Sequence, residues 1–267
     1  MIDTHCHLAF PEFAGRVDEV MAEASRVGVG GAITISTSSR DAEACMLLAE
    51  SHENIWFSVG IHPLYSDQEP HDWGLLKRLA RHEKCVAWGE LGLDNHHARP
   101  PRPTQDAVLA DELAFIESCH AEGIMHPIVL HCRKALDELI PILRATTLDP
   151  TRMVFHCFTG GPDEARRALD FGAMLSFTGV VTYRNAREVA DAAALVPPDR
   201  IMIETDAPFL TPEPERGHWP CTPAHVRHTA AFLAKLRGAT LPDFLRQTDE
   251  NAQRFFGIPA VALGHQA

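Results

Sequence analysis

Residues 2–7 read IDTHCH, which sets Asp3, His5 and His7 at alternate positions. Side chains of an extended strand alternate faces with a period of two. The spacing therefore predicts a strand with one carboxylate and two imidazoles on one face, the imidazoles about 7 Å apart. Either this is a solvent-exposed edge strand with coincidental histidines, or its end presents ligands to a divalent metal. The rest of the chain decides between them.

Outward from this hexapeptide, short apolar segments recur at Gly31–Thr37, Ile55–His62, Cys85–Leu91, Pro127–Cys132, Met153–Phe158, Ala173–Thr178 and Arg200–Asp206. Their starts lie roughly 20 to 45 residues apart, the separation that a strand plus a crossover helix requires. Helical periodicity falls between them. Val17, Val20, Met21, Ala24 and Val27 share one helical face. Ser39 reads as the N-cap of a helix over 41–50. Further helices are expected at 73–81, 106–121, 135–143, 163–171, 186–195 and 223–236, with a final one at 241–255. Eight strands alternating with eight helices predict an α/β fold, a single (β/α)8 TIM-type barrel over residues 1–267 with an extra C-terminal helix. An open doubly wound sheet is the alternative, but no glycine-rich phosphate turn follows the first strand. The proline-rich stretch Ala98–Gln105 reads as a loop after the fourth strand.

The chain has 267 residues, 45% of them hydrophobic, enough for a large core. No apolar run reaches the ~18 residues of a spanning helix, and no basic-then-apolar leader pattern opens the sequence. The seven cysteines show no CxxC pairing and read as reduced and packed. Cys132 and Cys157 follow histidines, but strand neighbours point to opposite faces. The expected setting is cytoplasmic, without membrane or obligate protein partner. A net charge of -12 argues against a broad basic surface for nucleic acid, yet admits a short anionic substrate at a cationic metal site.

Chemistry in such a barrel sits at the carboxyl ends of the strands. There the sequence places His5 and His7, His62, Glu90 and Asp94, His131 and Arg133, His156, and Asp206. The second and seventh strands, ending TISTS and LSFTG, supply no strong ligand. Buried ionised carboxylates are costly unless paired, and a metal cluster resolves this. Nitrogen and carboxylate donors without thiolates suit Zn, Mn, Fe or Co, whereas Mg prefers oxygen. Six ligands exceed one open site, so two divalent ions (Mg, Mn, Zn or Co) are expected. Glu90 suits the bridge, because its strand lies among the other ligand-bearing strands.

The ordered set IDTHCHL, GIHP, WGELGLD, IVLHCRKA, FHCFTG, LSFTG and ETDAPFL resembles the TatD family of metal-dependent deoxyribonucleases, in the amidohydrolase-like group. VTYRNA and TDENAQRFFG extend the resemblance over almost the whole chain. The resemblance implies that His5 and His7 bind one metal, that Glu90 bridges, and that His131 and His156 hold the second. It implies that Asp206 contacts the first metal and orients or deprotonates water. His62 would lie near the scissile group, with Arg133 and Arg184 as phosphate contacts. The chain departs from the family pattern at Asn95–His97 after GLD, at Cys132 and Lys134, in HWPCTP, and in a longer HAEGIMHP connection. None of these removes a metal ligand; all lie where substrate would be read.

The expected activity is metal-dependent phosphodiester hydrolysis of DNA or a small phosphodiester. A hydrolase of a small amide, ester or lactone and a non-catalytic metal-binding scaffold are the alternatives. Glu204 is expected to hydrogen-bond structurally, Asp3 to orient a ligand, and Asp94 to hold His62, hold the fourth loop or cap a helix. His96, His97, His218, His225 and His228 read as ordinary surface or loop residues. Trp219 is suited either to stacking on a base or to packing its loop.

Overall fold

Eight parallel strands pair in strict chain order, β1 to β8, each neighbour to the next. They are β1 (Ile2–Cys6), β2 (Gly31–Thr34), β3 (Ile55–Val59), β4 (Cys85–Asp94), β5 (Ile128–Arg133), β6 (Met153–Phe155), β7 (Met174–Phe177) and β8 (Ile201–Ile203). The helices between them are α1 (Val17–Arg26), α2 (Ala42–Ser51), α3 (Trp73–Leu79), α4 (Arg102–Ala121), α5 (Leu136–Arg144), α6 (Pro162–Phe171), α7 (Arg187–Leu195) and α8 (Val226–Leu236); α9 (Leu241–Phe256) follows. The expected TIM-type barrel with an added C-terminal helix is thus the observed one. The structure is a computed structural model and describes residues 1–260; residues 261–267 of the expected span lie outside the described residues. No described helix is long and apolar enough to cross a membrane.

Alternation sorts the strand residues into two cores. Ile33, Trp56, Val129, Val154, Met174 and Met202 point inward and pack together at the base of the barrel. Phe57, Leu130, Phe155, Leu175 and Ile203 point outward into the layer beneath the helices. Helix α9 closes the base: its Phe255 and Phe256, with Ile258 just beyond its end, join the inner cluster. It also fastens the seam between β1 and β8. The Asp249 carboxylate accepts the Ile2 N–H at 2.8 Å, and the Asn251 amide donates to the Ile201 carbonyl at 2.8 Å. At the other end of the seam, the Asp206 N–H donates to the His5 carbonyl and the His7 N–H to that of Ala207.

Two departures from regular pairing aim the site. In β4, Trp88 faces Ile128 and Leu91 faces Leu130, so three steps match two. The extra residue puts Trp88 in the outer layer and Glu90 inside, although alternation would place both on one face. In β1, Asp3 pairs with Ala32 and Cys6 with Thr34, another extra residue. Ile2 belongs to the inner cluster and Thr4 bonds across the interior to Ser176 and Glu204. Asp3, alternate to both, therefore faces outward. Its carboxylate accepts the Thr205 N–H and hydroxyl, rather than lying below His5 on a shared face. The expected single face of Asp3, His5 and His7 is corrected to His5 and His7 alone.

Two local expectations also change. Ser39 does not cap α2; its hydroxyl accepts the Asp72 N–H, while Asp41 precedes α2 and gathers the Thr37 and Ser38 N–H groups. Helix α4 begins at Arg102, inside the stretch read as loop. Pro103 sits in its first turn, where the missing N–H costs no hydrogen bond.

Candidate metal centre

The inner face rises through a polar layer, with Thr4, Ser58, Ser176 and Glu204, to a ring of imidazoles and carboxylates at the strand ends. Glu90 stands at its middle and is almost completely buried. Its two oxygens face different partners. Oε1 lies 3.5 Å from both His5 Nε2 and His7 Nε2. Oε2 lies 2.7 Å from His156 Nε2 and 3.3 Å from His131 Nδ1. Asp206 joins the first group, its Oδ1 being 3.6 Å from His5 Nε2 and 3.3 Å from His7 Nε2. Donor atoms of His5, His7 and Asp206 fall within 4.8 Å of one another, as do those of His62, Glu90 and His131.

Hydrogen bonds at the rear of each ring fix which nitrogen faces the centre. His7 Nδ1 lies 3.1 Å from the Ile35 carbonyl and must donate to it, leaving the Nε2 lone pair inward. His131 donates Nε2–H to Asp94 Oδ2 at 3.2 Å, turning Nδ1 toward the centre. His62 is built the other way. Its Nδ1 accepts the Leu64 N–H at 2.9 Å, so a neutral ring carries its proton on Nε2. That Nε2–H points at His131 Nδ1, 3.1 Å away. In this tautomer His62 faces the centre as a donor, although its ring also belongs to the His62, Glu90 and His131 group that could hold an ion.

The donor set fits divalent cations. Neither nitrogen of the fully buried His5 has a hydrogen-bond partner among the described residues, a state disfavoured unless something coordinates it. Burial opposes charge on Glu90, but the imidazoles around it more than offset this and hold its carboxyl well below the usual range. Asp206 is likewise lowered, its burial outweighed by His7 and His5. Burial drives His62 down to about 3 and also lowers His5, so both rings are neutral. Burial opposes charge on His7, His131 and His156 too, but the neighbouring carboxylates more than offset it and raise all three, so without an ion the buried carboxylates are balanced by imidazole protons that a divalent cation would displace.

The surrounding residues fall where expected in part. A cavity of about 390 Å³ opens above the ring; Arg133 lines it, whereas Arg184 is exposed and not among its lining residues. Glu204 is a structural acceptor, taking the Ser176 hydroxyl at 2.6 Å and the Cys157 N–H at 2.5 Å. Asp94 holds the fourth loop and His131, not His62: its Oδ1 accepts the N–H groups of His96 and His97. His97 is an exposed loop residue, as expected, but it also lines the cavity and bonds Asp94 Oδ2 at 3.0 Å. His225 is buried against Glu215. Cys132 and Cys157 line the cavity too, but burial pushes the Cys132 thiol up to about 12 and raises the Cys157 thiol as well, so neither is a thiolate. Phe10, Tyr65 and Phe209 complete the walls and were not singled out by spacing, because a loop aromatic carries no periodic signal.

A TIM-type barrel carrying two imidazole groups around one central carboxylate defines a metal-dependent hydrolase. The chain belongs to the TatD-related DNase family, whose profile matches residues 2–257. It is 34% identical to the uncharacterized metal-dependent hydrolase YcfH of Escherichia coli K12, covering 98% of each chain. It is 32% identical to a protein of Enterobacter lignolyticus named 3'-5' ssDNA/RNA exonuclease TatD, covering 97% of this chain and 99% of that one. The crystal structure of the TatD homolog YJJV of E. coli K12 superposes with a TM-score of 0.88 at 29% identity, over 97% of this chain and 98% of that one.

Proposed function

We propose that this protein hydrolyses phosphodiester bonds in DNA, or in a small phosphodiester, at a centre of two divalent ions drawn from Mg, Mn, Zn or Co. The observation that carries this reading is the division of Glu90, one oxygen toward His5 and His7, the other toward His131 and His156. In it, His5, His7 and Asp206 hold one ion, His131 and His156 the other, and Glu90 both. Such ions, when bound, neutralise phosphate charge and acidify a water.

The residues supply the rest. Asp206 lies at the floor of the cavity with its side chain 16% exposed, more than Glu90 at 2%, and so can take the water's proton. Its backbone has a positive φ of 63°, an uncommon conformation that Asp tolerates. The outward-facing Asp3 holds Thr205 beside it. The Nε2–H of His62 faces the centre as a donor to a phosphate oxygen. Arg133 on the cavity wall, and Arg184 if substrate extends that far, balance further phosphate charge. The free cysteines suit a cytoplasmic setting.

The test is cleavage of a single-stranded oligonucleotide with each ion, beside His131→Ala and Asp206→Ala. Ion-dependent cleavage by the parent, lost about 10²–10⁴-fold in Asp206→Ala, is expected. A folded, ion-loaded parent that cuts no phosphodiester overturns the proposal; turnover of amides, esters or lactones instead would favour the alternative substrate class.

A further inference from the structure

Resting on the phosphodiesterase reading, we propose that Phe209 and Trp219 form a stacking platform for an unpaired nucleobase next to the scissile phosphate. Both are exposed, at 40% and 55%, in a protein that buries most of its large apolar side chains. Their rings lie 5.7 Å apart, and Phe209 lines the cavity. An aromatic path runs from there to the metal centre: Phe209 to Phe10 at 6.2 Å, then Phe10 stacked on His7 at 4.7 Å. The Phe209 N–H bonds the Asp206 carbonyl, so this wall is fixed relative to the carboxylate.

The loop that displays Trp219 is held, not loose. The Thr211 hydroxyl bonds the His218 carbonyl, and the Cys221 N–H bonds that of Pro208. Arg216 lies over the Tyr183 ring, and Glu215 bonds both His225 and His228. Trp219 is thus kept in water by a loop with tertiary anchors on several sides. An indole so exposed, beside the cavity-lining Phe209, presents a flat face for stacking, which is worth about tenfold or more in binding per base. The two rings are inclined at 51°, so they offer successive faces and do not form a sandwich.

Electrostatics leaves the strand this mode of binding. Arg133 is the only lysine or arginine among the cavity-lining residues, in a chain of net charge -12. Backbone tracking through many phosphate contacts, the usual source of nucleic-acid affinity, has a single such cation to work with among the described residues lining the cavity. A base on Trp219 supplies affinity that a row of cations supplies elsewhere. It also selects unpaired strands, since a base inside a duplex has no free face.

The experiment compares a short oligothymidylate with an abasic phosphodiester of equal length, using the ion-loaded parent and Trp219→Ala. The parent is expected to show kcat/KM about tenfold higher on the base-bearing strand. Trp219→Ala brings the two substrates within about twofold, and Trp219→Tyr restores much of the difference. The log–log salt slope of KM stays at about +0.7 or shallower, about one phosphate contact on a single strand. Equal loss on both substrates in Trp219→Ala, or no discrimination by the parent, overturns the platform. Should the parent cut neither substrate, the phosphodiesterase reading fails on its own. Indole fluorescence then judges the platform: quenching by oligothymidylate but not by the abasic strand upholds it, and equal quenching or none refutes it.

Discussion

Asp94 shows how one side chain can position a candidate metal ligand. Its Oδ2 is shared by His131 Nε2 and His97 Nδ1, and its Oδ1 gathers two backbone N–H groups of the fourth loop. It thereby selects the tautomer that turns the His131 Nδ1 lone pair inward. Asp94→Ala is expected to weaken ion binding and activity about 10–100-fold and, because losing its buried carboxylate leaves four donors without an acceptor, to lower the melting temperature as well, checked by metal titration, kinetics and thermal unfolding. Unchanged ion affinity would assign Asp94 to the loop alone. That the imidazole and carboxylate donors meet at one end of the barrel was legible in the sequence because each ends an apolar strand. The partnership of Asp94 with His131 was not, since it joins the ends of neighbouring strands and leaves no local spacing. The donor role of His62 likewise depends on a backbone N–H two residues on, visible only once the turn is folded.

At the scale of elements, β4 carries the decisive irregularity. Gly92 sits at a φ of +144°, and a Cβ there would stand 2.0 Å from the His131 carbonyl oxygen. Gly92→Ala should lower stability by at least about 1–3 kcal/mol from the backbone conformation alone, measurable by denaturant unfolding. A stability equal to the parent's would mean that β4 and β5 need not approach so closely. Helix α4 reaches the site differently. Its buried Glu112 accepts the Ile61 N–H at 2.7 Å, one residue before His62, and burial raises its carboxyl well above the usual range. The native state then keeps a proton that the unfolded chain releases above a pKa of about 4.3. The stabilising contribution is full below that value and falls as pH rises toward the folded pKa. Relative to Glu112→Gln, the parent should lose stability as pH increases from 5, by no more than about 1.4 kcal/mol per unit. Melting curves of both proteins across pH 5–8 check this; parallel profiles would show the carboxyl to be ionised throughout. All eight strands could be read from apolar runs of the right length. The two extra residues in β1 and β4 could not, because the composition of a bulge here is that of the strand around it. The same blindness put Asp3 on the wrong face.

Across the whole molecule, the account is one of convergence. Donors from β1, β4 and β5 and from the segments following β6 and β8 meet because the strands close in order. Helix α9 holds the seam at the base, while the His5–Asp206 and His7–Ala207 backbone bonds hold it at the mouth. Closure of this kind was legible as a count of strand–helix units. The exposed loop bearing Trp219 was not, since its conformation rests on contacts with Tyr183, His225 and His228 from elsewhere in the chain. The most direct measurement is an anomalous difference map from crystals of the manganese-loaded protein. The account predicts two peaks flanking the Glu90 carboxylate, one beside His5, His7 and Asp206 and one beside His131 and His156. A single peak on one side of Glu90, or none within reach of these five side chains, would contradict it.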